Sequence, residues 1–241
     1  MLERSAKLSA IPGLKHGFTD RLGGVSSDRF ASLNLGLKWG DDPDAVAENL
    51  RRVSDAGGYP PQTLRRVNQV HRGDVLRATS LTGSSEADGL WCTREDGVTA
   101  AVLTADCVPI LLADITGTVA AAVHSGWRST VAGIAVAAVD SLAVDPTTLV
   151  AAIGPCIELA RFEVGPEVAE QFDATFVDMT SYAKPHIDLV GVVTEQLRDA
   201  GVLADNIERV GACTHAHEDR YFSYRRDGAG TGQMMSFVGF A

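Results

Sequence analysis

The chain has 241 residues and is 45% apolar, which suits one domain, or two closely fused halves, with a sizeable core. Lys and Arg number 21 against 31 Asp and Glu, and the resulting charge of −10 is spread along the chain. That excludes a general binder of nucleic acid or anionic membrane, which needs a basic face, but a small anionic substrate stays open because a few arginines can dominate one pocket.

In chain order, Met1 to Lys7 leads into no long apolar stretch, so no secretory signal is expected and a cytoplasmic location is the default. Asp42-Pro43-Asp44 predicts a helix start, with Asp42 as cap and Pro43 at the first helical position. Val46, Leu50 and Val53 continue at helical spacing, and Gly57-Gly58 closes the element. Leu64–Val70 and Val75–Thr79 flank His71-Arg72-Gly73-Asp74 and predict a hairpin with a polar turn. Val98–Leu103, Val108–Ala113 and Thr118–Val123 are short apolar runs, as in strands covered on both faces.

Trp127–Leu142 is Ala-rich, with Val131, Ile134, Ala138 and Leu142 on one face, and predicts one helix. Its nearly apolar run, Val131 to Val139, is far too short to span a bilayer and contains a glycine. Leu149–Ile153 predicts a strand ending at Gly154-Pro155-Cys156. Pro166–Phe176 and Asp188–Ala200 predict helices, the second capped at Gly201, and Ile207–Ala212 and Met234–Phe240 predict closing strands. No linker, low-complexity segment or short repeat interrupts this, so residues 1–241 read as one compact α/β (α+β) domain.

The four cysteines, Cys92, Cys107, Cys156 and Cys213, are far apart and form no CxxC, so free thiols or metal ligands are expected rather than a disulfide framework. Cys107 and His124 each sit where an apolar run meets a polar turn, in Thr104-Ala105-Asp106-Cys107-Val108-Pro109 and His124-Ser125-Gly126-Trp127-Arg128. With His71 they offer a soft sulfur and two imidazoles, and three such ligands with room for a fourth suggest a catalytic zinc. Spacing alone is weak support. A lone cysteine is usually a small buried residue, and a lone turn histidine a solvated polar group.

Ser125 to Arg128 lies at a helix start, where free N–H groups and Arg128 could meet phosphate or carboxylate, although a surface ion pair suits Arg128 equally. Arg225 and Arg226 are candidate contacts to phosphate or ribose. Asp106, Glu163 and Asp227 are candidate acid/base groups, against the commoner roles of cap or ion pair. Asn68 and Gln69 orient His71 or touch the substrate, unless they bond the backbone of a turn. His215 and His217 alternate as a strand would place them and form a second metal site or an exposed polar pair. Trp91 and Cys92 are expected near the site entrance, and Cys156 near Cys107.

Asn34-Leu35-Gly36 after Gly23-Gly24-Val25-Ser26, Asn68-Gln69-Val70-His71, Glu86-Ala87-Asp88-Gly89, the Cys107 and His124 motifs, Ile153-Gly154-Pro155-Cys156-Ile157 and Phe222-Ser223-Tyr224-Arg225-Arg226-Asp227 together resemble the YfiH family. That family is also called the laccase-domain or multicopper polyphenol oxidase family, and it includes the mammalian purine enzyme FAMIN. The order and number of motifs carry the resemblance, from about Gly23 to the C-terminus.

The resemblance implies a compact fold with mixed β-sheets packed between helices. It implies metal ligands at His71, Cys107 and His124, usually holding one zinc, with copper able to displace it. It also implies phosphorolysis of adenosine, inosine, guanosine and methylthioadenosine, together with adenosine deamination. The partners are then a purine nucleoside and phosphate, on a monomer or weak homodimer.

Departures fall at Leu50 and Gln233, where the family pattern has Arg, and in the His-rich Thr214 to Asp219. Two alternatives remain. A copper-binding polyphenol oxidase would need many His ligands, and the chain has six. A cysteine hydrolase, editing peptidoglycan precursors, would use Cys107 as nucleophile and His124 as base.

Overall fold

The computed structural model describes residues 1–241. Its first half runs β1 (Leu2–Glu3), α1 (Ala6–Ser9), β2 (Lys15–Thr19), α2 (Pro43–Gly57), β3 (Leu64–Arg65), β4 (Val75–Arg77), β5 (Gly89–Thr93), β6 (Thr99–Thr104), β7 (Val108–Asp114) and β8 (Val119–Ser125). The second half runs α3 (Trp127–Val131), α4 (Ile134–Leu142), β9 (Leu149–Ile153), α5 (Pro166–Ala169), β10 (Val177–Asp178), β11 (His186–Ile187), α6 (Leu189–Asp199), β12 (Ile207–Arg209), α7 (Tyr224–Asp227) and β13 (Met234–Gly239). The strands form a six-stranded sheet, β12-β9-β7-β8-β5-β4, a five-stranded sheet, β1-β2-β13-β6-β3, and a separate β10–β11 pair.

Side-chain alternation decides the layering. Along β7, Val108, Ile110 and Leu112 join one buried cluster with Ile134 and Ala138 of α4 and Leu189 and Val193 of α6. Leu111 and Ala113 point the other way, into a cluster with Ala100 and Val102 of β6 and Val238 of β13. That second cluster is the seam between the sheets. It is rich in alanine (Ala120, Ala122, Ala152), and small side chains let two sheets pack face to face. The outer face of the five-stranded sheet is covered by Val53 of α2 with Leu33, Leu35 and Tyr59, against Ala101, Met235 and Phe237. The order is helices, sheet, sheet, helix, so the mixed sheets lie between helices in one α/β domain. No helix is long and apolar enough to cross a membrane.

Local chemistry accounts for the elements that match expectation. Asp42 accepts a hydrogen bond from Asp44 N–H at 3.0 Å, and Gly58 ends α2 at φ 73°. Asp188 caps α6 from just outside it, accepting from Gly191 N–H at 2.9 Å.

Four expectations need correction. Leu64–Val70 and Val75–Thr79 do not form a hairpin: β3 pairs parallel to β6 in one sheet, and β4 parallel to β5 in the other. The stretch between them is a crossing from sheet to sheet. Trp127–Leu142 is two helices, because Gly133 adopts φ 74° between α3 and α4. The predicted helix from Pro166 to Phe176 stops at Ala169 and resumes only as a single turn at Ala174–Phe176. Ile207–Ala212 is a strand only to Arg209, and His215 and His217 lie in turns, so strand alternation does not apply to them.

Candidate metal centre

The seam between the sheets opens, at one end, onto three side chains from three different segments. Cys107 lies in the turn from β6 to β7, His124 on β8 opposite Pro109 of β7, and His71 on the crossing between β3 and β4. Their donor atoms all lie within 4.8 Å of one another. The two imidazole rings stand edge to face at 4.8 Å between centroids. Gly126 supplies the necessary room: a Cβ there would sit 3.1 Å from Cys107 Sγ and 3.3 Å from the His71 ring. Backbone distortion concentrates at the same place, with His71 at φ 61° and Asp106 at φ 91°.

Asp88, fully buried, ties the site together. One oxygen lies 2.8 Å from His124 Nδ1. The other accepts from Val70 N–H at 3.2 Å and Arg72 N–H at 2.7 Å, on either side of His71. A carboxylate on Nδ1 fixes the imidazole tautomer and leaves Nε2 for a metal. Burial opposes ionisation of the Cys107 thiol, yet His124 and His71 outweigh it and hold the group below its usual range. Burial likewise opposes a proton on His124, but the Cys107 thiolate and Asp88 raise it. The site thus stores a thiolate opposite a proton that a cation can replace. One sulfur and two imidazoles, in this spacing and with a carboxylate behind one ring, fit zinc or copper.

The donors open into a cavity of about 720 Å³. Asn68, Gln69, Asp106, Arg128 and Arg225 line it, as do Leu37, Lys38, Trp39, Arg66, Phe162 and Tyr224, which sequence reasoning passed over. Arg128 stacks on the Trp127 ring at 4.2 Å. Arg225 donates to the Glu163 carbonyl at 2.7 Å and covers the Phe162 ring at 5.2 Å. Gln69 braces the crossing segment, its amide pairing with both Leu103 N–H and Leu103 C=O at 2.8 Å. Asn68 is tied through its backbone to Ser85 and Ala87.

The other predicted site residues have the following surroundings. Asp106 borders the cavity, but its carboxylate already accepts from Thr214 Oγ1 at 2.6 Å, Ser223 Oγ at 3.0 Å and Arg225 N–H at 2.6 Å. These three bonds tie the Cys107 turn to the segment from Thr214 to Arg225. Glu163 is exposed, ion-paired to Lys184 at 2.7 Å, and does not line the cavity; its carbonyl, not its carboxylate, serves the site. Arg226 also lies outside the lining. It pairs with Asp227 at 2.8 Å and donates to Thr214 C=O and Tyr221 C=O.

Gln233 lines the cavity, whereas Leu50 packs under the five-stranded sheet. His215 and His217 join no group of metal donors. Cys156 pairs across a β-bridge with Cys213, and the next residue, Ile157, donates its N–H to Asp106 C=O at 2.9 Å, beside Cys107; Cys156 is not among the metal donors. Trp91 and Cys92 pack into the core on opposite faces of β5, and neither lines the cavity. The missed residue with the largest consequence is Asp88. It stands in the Glu86-Ala87-Asp88-Gly89 motif, directly before an apolar strand, and neither signal says which side chain it serves.

Residues 15–241 match the profile of the family described as multi-copper polyphenol oxidoreductase laccase. A protein of Escherichia coli K12 named purine nucleoside phosphorylase YfiH is 37% identical over 223 residues, covering 90% of each chain. One of Deinococcus radiodurans, named purine nucleoside phosphorylase, is 39% identical over 236 residues, covering 95% of this chain and 89% of its own. The crystal structure of Neisseria meningitidis protein NMB0706 superposes with a TM-score of 0.88 at 34% identity, covering 99% and 98% of the two chains. That of YlmD from Geobacillus stearothermophilus gives 0.86 at 30%, covering 95% and 93%. With the profile spanning nearly the whole chain and the same fold in these neighbours, the chain belongs to the multi-copper polyphenol oxidoreductase laccase family, alongside proteins named YfiH.

Proposed function

We propose that the chain is a zinc-dependent purine nucleoside phosphorylase, acting on adenosine, inosine, guanosine and methylthioadenosine and also deaminating adenosine. The observation that carries this is a His71–Cys107–His124 donor set opening into a cavity walled by aromatic rings and by cations without carboxylate partners. The names of relatives covering some 90% of both chains support the reaction class.

A bound zinc would supply Lewis-acid polarisation at the inner end of the cavity. The rings of Trp127, Phe162 and Tyr224 offer faces to a purine, and Arg128 and Arg225 offer charge to phosphate. In phosphorolysis a phosphate oxygen bonds to the ribose carbon as the carbon–nitrogen bond breaks, and the purine leaves with a proton. The role of this chain is then to hold phosphate in line and to keep water out. Asp106 holds the Cys107 turn, and Asp88 holds His124.

A second reading has its own observation. Cys107, His124 and Asp88 stand in the order of nucleophile, base and orienting acid. The test for both uses zinc-quantified protein with adenosine, inosine and methylthioadenosine, with and without phosphate. Base, ribose 1-phosphate and ammonia are measured. Phosphate-dependent base release that is lost with the metal in Cys107→Ala supports the phosphorylase. Base release absent at one zinc per chain refutes it. Hydrolysis of an amide or ester that survives chelation and stops on alkylation of Cys107 favours the cysteine hydrolase.

A further inference from the structure

Four basic side chains line the cavity, Lys38, Arg66, Arg128 and Arg225, and none of them is in an ion pair. The only acid in the lining is Asp106, whose oxygens are engaged. In a chain of net charge −10 this is a local reversal of sign. Arg225 is bonded through its backbone to Asp106, the neighbour of Cys107, and Arg128 stands two residues after Gly126, where a Cβ would lie within 3.6 Å of the Cys107, His71 and His124 side chains.

Arg66 comes from the crossing segment, five residues before His71. Its guanidinium rests on the Leu35 carbonyl at 2.9 Å, and Leu35 N–H in turn donates to Gln233 C=O at 3.0 Å. That single bond uses one of the five guanidinium N–H groups. Its titratable neighbour is the Tyr59 phenol, which burial keeps neutral. Lys38, over the Trp39 ring at 5.2 Å, lines the same cavity.

We propose that Arg66, assisted by Lys38, forms a second anion subsite for a phosphoryl group in the cavity that His71, Cys107 and His124 also line. A guanidinium with free parallel N–H groups matches phosphate geometry. The phosphoryl group is either free phosphate or the ester of a purine nucleoside 5′-phosphate. Because Arg128 and Arg225 also line the cavity, an ester held on Arg66 leaves them for free phosphate. The choice of nucleoside probes rests on the phosphorylase reading above.

Calorimetry on the zinc-loaded full chain, using adenosine, adenosine 5′-monophosphate and inorganic phosphate, tests it. If the subsite takes the ester, the monophosphate binds about tenfold or more tightly than adenosine, and that ratio falls towards one in Arg66→Gln. If it takes free phosphate, the ratio stays near one in both proteins and phosphate affinity falls about tenfold in Arg66→Gln. Arg66→Lys, which keeps the charge but not the fork, retains part of either effect. Lys38→Gln, at an exposed position, covers a failure of Arg66→Gln to fold and lowers the affected quantity about threefold. Unchanged ratios and unchanged phosphate affinity in the folded variants overturn the proposal. Binding is read without turnover. A chain that binds through Arg66 yet releases no base refutes the phosphorylase and leaves the subsite standing.

Discussion

Replacing Asp88 by asparagine separates charge from shape at the metal centre. The side chain is fully buried, and its oxygens serve His124 Nδ1 at 2.8 Å, Arg72 N–H at 2.7 Å and Val70 N–H at 3.2 Å. An asparagine that keeps the two backbone contacts turns its NH2 towards His124 Nδ1. Nδ1 must then accept, which moves the imidazole proton to Nε2, the nitrogen needed as metal donor. Loss of such a carboxylate behind a ligating histidine lowers metal affinity about 10- to 100-fold, or ~1.4–2.8 kcal/mol. Zinc affinity by competition with a chromophoric chelator reads this directly. Thermal unfolding of the metal-free variant checks that the crossing segment still folds. An affinity within twofold of the native protein, on a folded variant, would refute the account of Asp88 as the group that sets the His124 tautomer.

Two further outcomes follow from other positions. Gly126→Ala places a Cβ 3.1 Å from Cys107 Sγ, so zinc affinity should fall by at least about tenfold while secondary structure by circular dichroism stays native; unchanged affinity refutes the close-approach argument. His16 is buried, with one ring nitrogen accepting from Ser5 N–H at 3.1 Å and the other unpartnered. Burial, helped by Arg4, lowers it from 6.5 to about 4. The folded state therefore favours the neutral ring, so its contribution is complete above pH 6.5 and is lost as pH falls from 6.5 towards 4. The loss approaches ~2–3 kcal/mol at the acid end of that window. Denaturant unfolding at pH 7 and pH 4.5 should show that much less acid sensitivity in His16→Gln, and equal sensitivity in both proteins would count against burial as the cause.

Much of the scaffold was legible because it is local. Alternation along Val108–Asp114 and Val119–Ser125, the Asp42-Pro43 start of α2 and the Gly58 stop depend on neighbours a few residues away. The misread hairpin shows where that ends. Two apolar runs around a polar turn look the same whether they pair together or leave for different sheets. Here the choice was made by β6 and β5, the partners across each sheet. The Gly133 break inside Trp127–Leu142 was written in the chain but hidden by an otherwise helical composition.

The metal centre divides the same way. Residue type marked His71, Cys107 and His124 as donors, since few side chains bind a soft metal and their chemistry needs no fold to be stated. Their meeting within 4.8 Å, the carboxylate of Asp88 behind His124, and the engagement of Asp106 by Thr214, Ser223 and Arg225 join segments up to 119 residues apart. Sequence alone therefore determined which atoms are available and the local elements that carry them. Only tertiary structure decided which acids are spent holding turns and which cations face the cavity unpaired, because both depend on partners that burial brings together from distant parts of the chain.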